Sequence, residues 1–284
     1  MYAVFNTILV LFGLIVLYPC VFVLSASFSS AVDVSSGRVL LWPVNFSLDG
    51  YVMVFNHKLI LTSYRNTIFY TTAGTLINLG VTILAAYPMS RKEMPFRNVF
   101  MFIFVFTMFF GGGLVPTYLL MNMLGLLNTI WIMILPTFSV YSMILMRTNF
   151  LSVPSELFDA AEIDGCSYWQ YLLRVLLPLS KAVLAVITLG YAVGHWNSYF
   201  AGLIYLRDRN LYPLQLILRE ILMMAQFQTS EMLTQTAVEM SKTQGMVDLI
   251  KYSLIVVAAV PILCFYPFIQ KYFVKGIMIG SLKG

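Results

Sequence analysis

The chain has 284 residues, of which 60% are hydrophobic and only 10% are charged, and its net charge is +5. Soluble domains carry about 25% charged residues, and no soluble core could absorb this much apolar surface, so the composition excludes an ordinary soluble protein. The Lys and Arg residues form no compact cluster with interleaved aromatic residues. This argues against nucleic acid as a partner and favours positively charged loops beside membrane lipid.

Five stretches contain no Asp, Glu, Lys or Arg. They are 1–32, 66–90, 98–146, 182–206 and 252–270. A helix needs about 20 apolar residues to span the hydrocarbon core, and the third stretch has room for two crossings joined by a turn at Gly125–Asn128. We therefore predict an all-α, polytopic membrane protein with about six transmembrane helices. The predicted spans are 5–27, 66–89, 98–120, 129–146, 182–205 and 250–270.

The chain shows no internal repeat, low-complexity tract or interdomain linker. We predict a single transmembrane domain over 1–284, in which 1–65 forms the first span and an outer segment. Residues 66–284 form a five-span core that includes the loop 147–181. The first hydrophobic run has no cationic start and only a weak cleavage-like site, so we interpret it as a retained anchor.

Positive residues predict the orientation in the membrane. Nine Lys or Arg residues lie in 90–97, in 147–181 and in the tail after 270, and eight lie on the opposite side. Those eight are spread over longer loops, which weigh less in orienting a membrane protein, whereas 90–97 is short and strongly positive. We therefore expect a multi-pass protein with both termini in the cytoplasm.

The sequence contains none of the common catalytic motifs. There is no GxxxxGK[ST] phosphate loop, no HExxH, no GxSxG and no cluster of His and Cys. The three cysteines, Cys20, Cys166 and Cys264, form no CxxC pair. We predict no catalytic residue, no metal site and no cofactor on this chain, which is therefore not expected to be an enzyme.

The charged segment 152–178 lies between two spans on the predicted inner side. Pro154 suits the first turn of a helix, acidic residues at 156, 159 and 162 suit its N-terminal half, and Gly165 suits the position just past its end. We predict a short helix over 154–164 that lies across the membrane face. Leu157, Phe158 and Ala161 give it a small apolar side. These residues alone leave two interpretations open, a helix that docks on a partner and a solvated connector.

One motif in this segment carries a family resemblance. The run DAAEIDG at 159–165, followed after nine residues by VLLP at 175–178, resembles the EAA signature of ABC importer permeases. That signature reads EAA, three residues, Gly, nine residues and Ile-x-Leu-Pro. Asp159 stands for Glu and Val175 for Ile, and both changes keep the charge or shape. Segments such as AAYPMSRKEMPFRN and GHWNSYFAGLIYLRDRNLYPLQL are similar to the carbohydrate-uptake branch, more narrowly to the maltose-type second permease subunit and its relatives for complex oligosaccharides.

The resemblance implies a function and a set of partners. The chain would be a bacterial cell-membrane subunit of an ATP-driven importer of oligosaccharides, paired with a second, homologous permease subunit. Two ABC ATPase subunits would bind ATP and Mg, and an extracellular or periplasmic sugar-binding protein would deliver the substrate. The helix would be the coupling helix in a groove of an ATPase subunit. The residues implied for ATPase coupling are Glu156, Asp159, Ala160, Ala161, Asp164, Gly165 and Pro178.

Two other functions stay open as alternatives. One is an ABC permease for a solute other than a sugar. The other is a secondary transporter, which is disfavoured because the predicted spans contain no carboxylate for ion coupling and the chain shows no inverted repeat.

The fifth predicted span offers candidate sugar contacts. Tyr191, His195 and Tyr199 are four residues apart and would share a helix face, with Trp196 and Asn197 adjacent. Flat aromatic faces with a few hydrogen-bonding groups suit sugar rings. The alternative is aromatic packing between helices, with a neutral His195 bonded to a neighbouring helix.

The second and third spans add further candidates for the substrate pathway. In the second span Thr71, Thr75, Asn78 and Thr82 form a polar stripe that could line a pathway or bond helices together. In the third span the glycines at 111–113, with a proline at 116, break helical regularity, either as a pathway hinge or for close helix packing. We assign Asn78, Thr107 and Tyr118 to the pathway together with the aromatic residues of the fifth span.

Overall fold

The computed structural model describes residues 2–135, 138–231, 244–264 and 267. All regular structure in this part of the chain is helical. The α-helices are α1 Tyr2–Ser27, α2 Ala31–Ser35, α3 Asp49–Phe55, α4 Ile60–Ser90, α5 Arg97–Phe109, α6 Leu114–Met123, α7 Trp131–Ile134, α8 Val140–Leu151, α9 Glu156–Ile163, α10 Tyr168–Tyr171, α11 Leu177–Leu179, α12 Lys181–Trp196, α13 Phe200–Tyr205, α14 Leu214–Glu231 and α15 Gln244–Cys264. A π-helical turn, Leu172–Leu176, precedes α11, and a 3-10 turn, Arg209–Leu211, follows α13.

Three of the described helices are long and apolar enough to cross a membrane, namely α1, α4 and α15. Two bent pairs raise this number to five if each pair is one span. The helices α5 and α6 meet at 116°, and the segment Tyr168–Leu179 meets α12 at 85°. The prediction of an all-α polytopic membrane protein agrees with this architecture.

The predicted spans differ from the helices in several places. The third span is broken after Phe109, because Phe110 is extended and Gly113 has a φ of +81°, a value that favours glycine. The fourth consists of the short helices α7 and α8, and residues 136–137 between them lie outside the described residues. The fifth ends at Trp196 instead of 205. The last is already helical at Gln244, the first residue described after 231, and residues 265, 266 and 268–270 of that prediction lie outside the described part.

The chain folds as two compact units. The first holds the residues up to Tyr64 together with Tyr212–Cys264. In it Gly50 of α3 packs against Leu249 of α15, and Tyr64 Oη donates to the Val257 carbonyl oxygen over 2.7 Å. The described part of the second unit is 65–135, 138–211 and 267, and it holds all the candidate site residues. A single domain over 1–284 stays a prediction.

The two ends of α4 lie at two different groups of loops in the second unit. Near its start, Tyr70 Oη donates to the Leu211 carbonyl over 2.9 Å, in the same loop whose Arg207 and Asp208 amides donate to Asn128 Oδ1 over 2.9 and 2.8 Å. Loops that were predicted to share the outer side therefore lie together.

At the end of α4 the loops predicted to face inward meet. Arg147 Nε donates to the Met89 carbonyl over 2.8 Å, and Arg91 contacts the ring of Phe158. A buried apolar core in this unit includes Met143, Met146 and Leu172.

Candidate functional site: helix α9 and a buried polar cluster

The helix predicted over 154–164 is α9, with Ser155 at its N-cap and Asp164 at its C-cap. Pro154 immediately precedes the cap, and the acidic residues Glu156 and Asp159 lie in the first turn, where the helix dipole favours negative charge. These local signals account for where the helix begins.

Gly165 ends α9 in the conformation that the sequence predicts. Its φ is +76°, and its amide donates to the Glu162 carbonyl over 3.0 Å while the Cys166 amide donates to the Ala161 carbonyl over 2.9 Å. This pair of bonds is a Schellman motif, for which glycine is strongly preferred. No heavy atom lies within 4 Å of the position that a Cβ would occupy, so the turn is open on its outer side.

The exposed surface of α9 is acidic. Glu156, Asp159, Ala160, Glu162 and Asp164 are all exposed. The prediction of an apolar docking side was wrong in one respect, because Ala161 is buried and Phe158 is half-buried against the chain's own core. Ile163 instead offers the most exposed apolar side chain of the helix, at 87%.

Pro178 lies outside α9, in the short helix α11. It has no amide hydrogen to continue the helical hydrogen-bond pattern, and it is the second residue after the π-helical turn Leu172–Leu176. Ser180 stabilises the break by donating its hydroxyl to the Leu176 carbonyl over 2.8 Å. The 85° bend between α11 and α12 follows from these features.

A polar cluster lies between α4 and α12 and is formed by Asn78, Thr82, Tyr191 and His195. All four side chains are buried. Asn78 Nδ2 lies 2.9 Å from His195 Nε2, and Thr82 Oγ1 lies 2.8 Å from Tyr191 Oη. Because an amide nitrogen can only donate, His195 Nε2 is the acceptor in this arrangement. The Ser139 amide also donates to Tyr191 Oη over 3.1 Å.

Gly74 brings the two helices of the polar cluster close together. A Cβ at this position would overlap the imidazole ring of His195, so only glycine fits at this approach. Small residues that permit close backbone approach are typical of helix contacts in membranes. Sequence reasoning missed Gly74 and Ser139. A glycine four residues before Asn78 inside a predicted helix was the signal that could have found the former.

A cavity of about 440 Å³ opens beside the polar cluster, between α8 and α12. Ser139 and Ser142 line it on one side and Gly190, Tyr191 and His195 on the other. The lining combines these aromatic, hydroxyl and imidazole groups with the apolar side chains of Leu145, Val186 and Ile187.

The other predicted pathway residues lie apart from the polar cluster. Trp196 is buried at the end of α12, whereas Asn197 is exposed at its C-cap. The prediction that Tyr199 shares a face with Tyr191 and His195 was wrong, because the helix ends at Trp196 and Tyr199 is 41% exposed beyond it.

The pathway residues of the third span also lie elsewhere. Thr107 is exposed and donates to the Phe104 carbonyl over 2.7 Å. The half-buried ring of Tyr118 stacks on Tyr205 with centroids 5.9 Å apart. Of the eight predicted pathway residues, the structure brings Asn78 and His195 into direct contact, and Tyr191 belongs to the same polar cluster through its contact with Thr82.

The part of the polar stripe nearer the start of α4 differs from the polar cluster in its hydrogen bonding. Thr71 Oγ1 and Thr75 Oγ1 are buried, and neither has a hydrogen-bond partner among the described residues. Within the same part of the chain, no group of three or more His, Cys, Asp or Glu residues could hold a metal ion.

Comparison with known proteins gives a match over residues 78–279 to the family described as "Binding-protein-dependent transport system inner membrane component". The match covers more than two thirds of the chain. The chain belongs to this family. As a member it is a multi-pass inner-membrane transport subunit and not an enzyme.

The chain is similar to permease proteins over nearly its whole length. It is 38% identical over 277 residues to the polygalacturonan/rhamnogalacturonan transport system permease protein YtcP of Bacillus subtilis (strain 168), which covers 97% of this chain and 96% of that protein. It is 39% identical over 274 residues to protein LplC of the same organism, covering 96% and 91%.

A solved structure also shows similarity to an ABC transporter. The chain is similar, at 35% identity and a TM-score of 0.81, to a chain of a bacterial ABC transporter involved in the import of the acidic polysaccharide alginate, and 96% of each chain is covered. The resemblance inferred from DAAEIDG is therefore confirmed, and the permease of an ABC importer is supported over a secondary transporter. The roles of the individual site residues stay predictions.

Proposed function

We propose that this chain is one of two permease subunits of an importer that moves acidic oligosaccharides into the cell. The observation that carries this proposal is the coupling helix α9. It presents an exposed acidic face, ends in the open Gly165 turn and carries the family's signature. These features suit a helix that docks on another subunit. The sequence contains no GxxxxGK[ST] phosphate loop, so ATP would be bound by other subunits.

ATP and Mg would be bound by two ABC ATPase subunits on the cytoplasmic side. Closure of the ATPase pair would move α9, and the spans would switch between inward-open and outward-open states. A binding protein outside the membrane would release the sugar into the outward-open cavity. The second permease subunit would complete the pathway.

The cytoplasmic placement of both termini is part of the proposal. It is supported by the positive loops 90–97 and 147–181, which lie together at the end of α4. The outer loops lie together near the start of the same helix. Positive loops face the cytoplasm in most membrane proteins, which gives the coupling helix access to ATP-driven partners.

The proposed substrate class rests on the relatives. The name of YtcP refers to polygalacturonan and rhamnogalacturonan, and the similar solved transporter is involved in the import of the acidic polysaccharide alginate. Tyr191 and His195 beside the 440 Å³ cavity are the groups of this chain best placed to contact a sugar ring.

Uptake in the native cell tests the proposal. Cells that lack this chain should lose uptake of labelled oligogalacturonate or alginate oligosaccharides, and the wild-type chain should restore it. Gly165→Arg should not restore it. Uptake that is unaffected by the deletion for both sugars contradicts the substrate class. Uptake that persists after ATP depletion and stops when the ion gradient is dissipated contradicts ABC transport and favours a secondary transporter.

A further inference from the structure

Arg91 follows the last residue of α4, and its guanidinium group lies among four aromatic rings. Its Cζ is 3.4 Å from the ring centroid of Phe158, which belongs to α9. The rings of Tyr87, Tyr168 and Tyr171 lie at 5.7, 5.7 and 5.5 Å from the same atom. We call these five residues the aromatic clamp. It joins the end of α4 to α9 and α10, which lie about 70 residues further along the chain.

The rings of the aromatic clamp also pack against one another. Phe158 stacks on Tyr168 with centroids 5.8 Å apart and meets Tyr171 edge to face at 5.1 Å. Guanidinium groups stack well on aromatic faces because they are planar and weakly hydrated. Phe158 is therefore the central contact through which α9 meets the cation.

Few oxygen atoms compete for this cation. Arg91 Nε and Nη2 are buried and have no hydrogen-bond partner among the described residues. The nearest carboxylate, of Glu93, lies 3.9 Å from Nε, and the Glu93 side chain is 66% exposed. An exposed ion pair at this distance contributes little. The ring faces are the main partners of the charge.

Two hydrogen bonds reinforce the same connection. Tyr87 Oη donates to the Tyr168 carbonyl over 3.1 Å, and Arg147 Nε donates to the Met89 carbonyl over 2.8 Å. The first bond attaches the end of α4 to α10, and the second attaches it to α8, the helix that precedes α9. The same helix carries Asn78 and Thr82 of the polar cluster.

We propose that the aromatic clamp transmits movement of α9 to α4, with Arg91 as the positioning residue. The proposal rests on the proposed function, in which an ATPase subunit moves α9. When α9 shifts, Phe158 carries the guanidinium group and the end of α4 with it, and α4 moves the polar cluster. Sequence reasoning used Arg91 only as one positive charge of a cytoplasmic loop.

A distance measurement tests the aromatic clamp without knowledge of the substrate. Spin labels are placed at Ile163 on α9 and at Leu84 on α4, which are 87% and 52% exposed, after the three native cysteines are replaced by serine. The assembled transporter is measured in lipid nanodiscs with and without ATP and vanadate. The intact clamp should give the same narrow distance distribution in both states.

Two variants should break this rigid connection. Arg91→Met removes the charge, and Phe158→Leu removes the central ring while keeping an apolar side chain. Both should broaden the Ile163–Leu84 distance distribution in the ATP–vanadate state, because α9 could then shift without α4 once the cation–π contact is lost. Arg91→Lys should be intermediate, because it keeps the charge but not the planar stacking.

Lys92→Met is the matched control. Lys92 is exposed and lies outside the aromatic clamp, so this substitution removes a neighbouring charge without touching the four rings. A merely structural role would lower the yield of assembled transporter and leave the distances in the surviving complexes unchanged. Wild-type distances in both Arg91→Met and Phe158→Leu would overturn the clamp while the proposed function stands. Failure of the wild-type chain to retain an ATPase subunit would overturn the proposed function and the clamp with it.

Discussion

Gly165 at the coupling helix and Gly74 in the polar cluster differ in what surrounds them. Gly165 has a positive φ and nothing within 4 Å of its missing Cβ. Gly74 is helical, and a Cβ there would overlap the His195 ring. The first glycine is required by its backbone conformation and leaves an open surface, whereas the second is required by close packing inside the chain. The Gly165 turn therefore leaves room for a partner, as the proposed docking of α9 requires, whereas Gly74 permits the close approach of α4 and α12 in the polar cluster.

The largest effect is expected from a substitution that disrupts the close packing of α4 against α12 at Gly74. Gly74→Ala should destabilise the protein by about 1–3 kcal/mol, because overpacking forces α4 and α12 apart and disturbs the Asn78–His195 bond. Thermal unfolding of the purified protein in detergent measures the effect. Gly80→Ala is the matched control on the same helix, since no atom lies within 4 Å of its missing Cβ. Equal stability of the two variants would contradict the close-packing role of Gly74.

A smaller effect is expected for the second hydrogen-bonded pair of the polar cluster. Tyr191→Phe removes the bonds to Thr82 and Ser139 and should cost about 1 kcal/mol. Thr82→Val combined with Tyr191→Phe should cost less than the sum of the two single variants, because both remove the same bond. Tyr141→Phe, at a 66% exposed tyrosine, is the control for the loss of a hydroxyl. If the losses in stability of the two single variants are strictly additive, the Thr82–Tyr191 bond contributes nothing to stability.

The smallest effect is expected for Asp33, a buried carboxylate outside the membrane spans, which can be compared with the uncharged polar cluster. Hydrogen bonds from Ser30 and Asn45 and the charge of Arg38 hold the pKa of Asp33 below its ordinary value of 3.8, against the opposing effect of burial. A carboxylate with a lowered pKa stabilises the fold above its unfolded pKa and loses this contribution as the pH falls through the folded pKa.

The difference in unfolding temperature between the wild type and Asp33→Asn should therefore be constant from neutral pH down to about pH 5 and should shrink below about pH 4. Asp49→Asn, at an exposed carboxylate of the same segment, controls for the loss of one charge. A difference that grows as the pH falls would contradict the assignment.

Local signals explain how much of the coupling region could be predicted. Pro154, the acidic first turn and Gly165 lie within twelve residues, so the sequence predicts α9 to within two residues at its start and one at its end. The packing of Phe158 could not be predicted, because its partner Arg91 lies on another helix. No periodic pattern joins the two residues.

The polar cluster shows the same limit over a longer distance. Asn78 and His195 are 117 residues apart, and each was identified as a candidate only from its own helix. Tyr199 was assigned to the same face by extending a helix that ends at Trp196, where the apolar pattern alone gives no stop signal. Gly74 explains why these two helices come close, and its role becomes clear only when the facing ring is known.

The most direct test of the central claim compares two open glycines by purification from the native membrane. Gly165→Arg should lose the ATPase subunit and keep the second permease subunit, because the new side chain projects from the coupling helix. Gly125→Arg has a similar φ of +67° and equally open surroundings at the predicted outer side, so it should keep both subunits. Retention of the ATPase subunit by Gly165→Arg, or its loss from both variants, would contradict docking at α9.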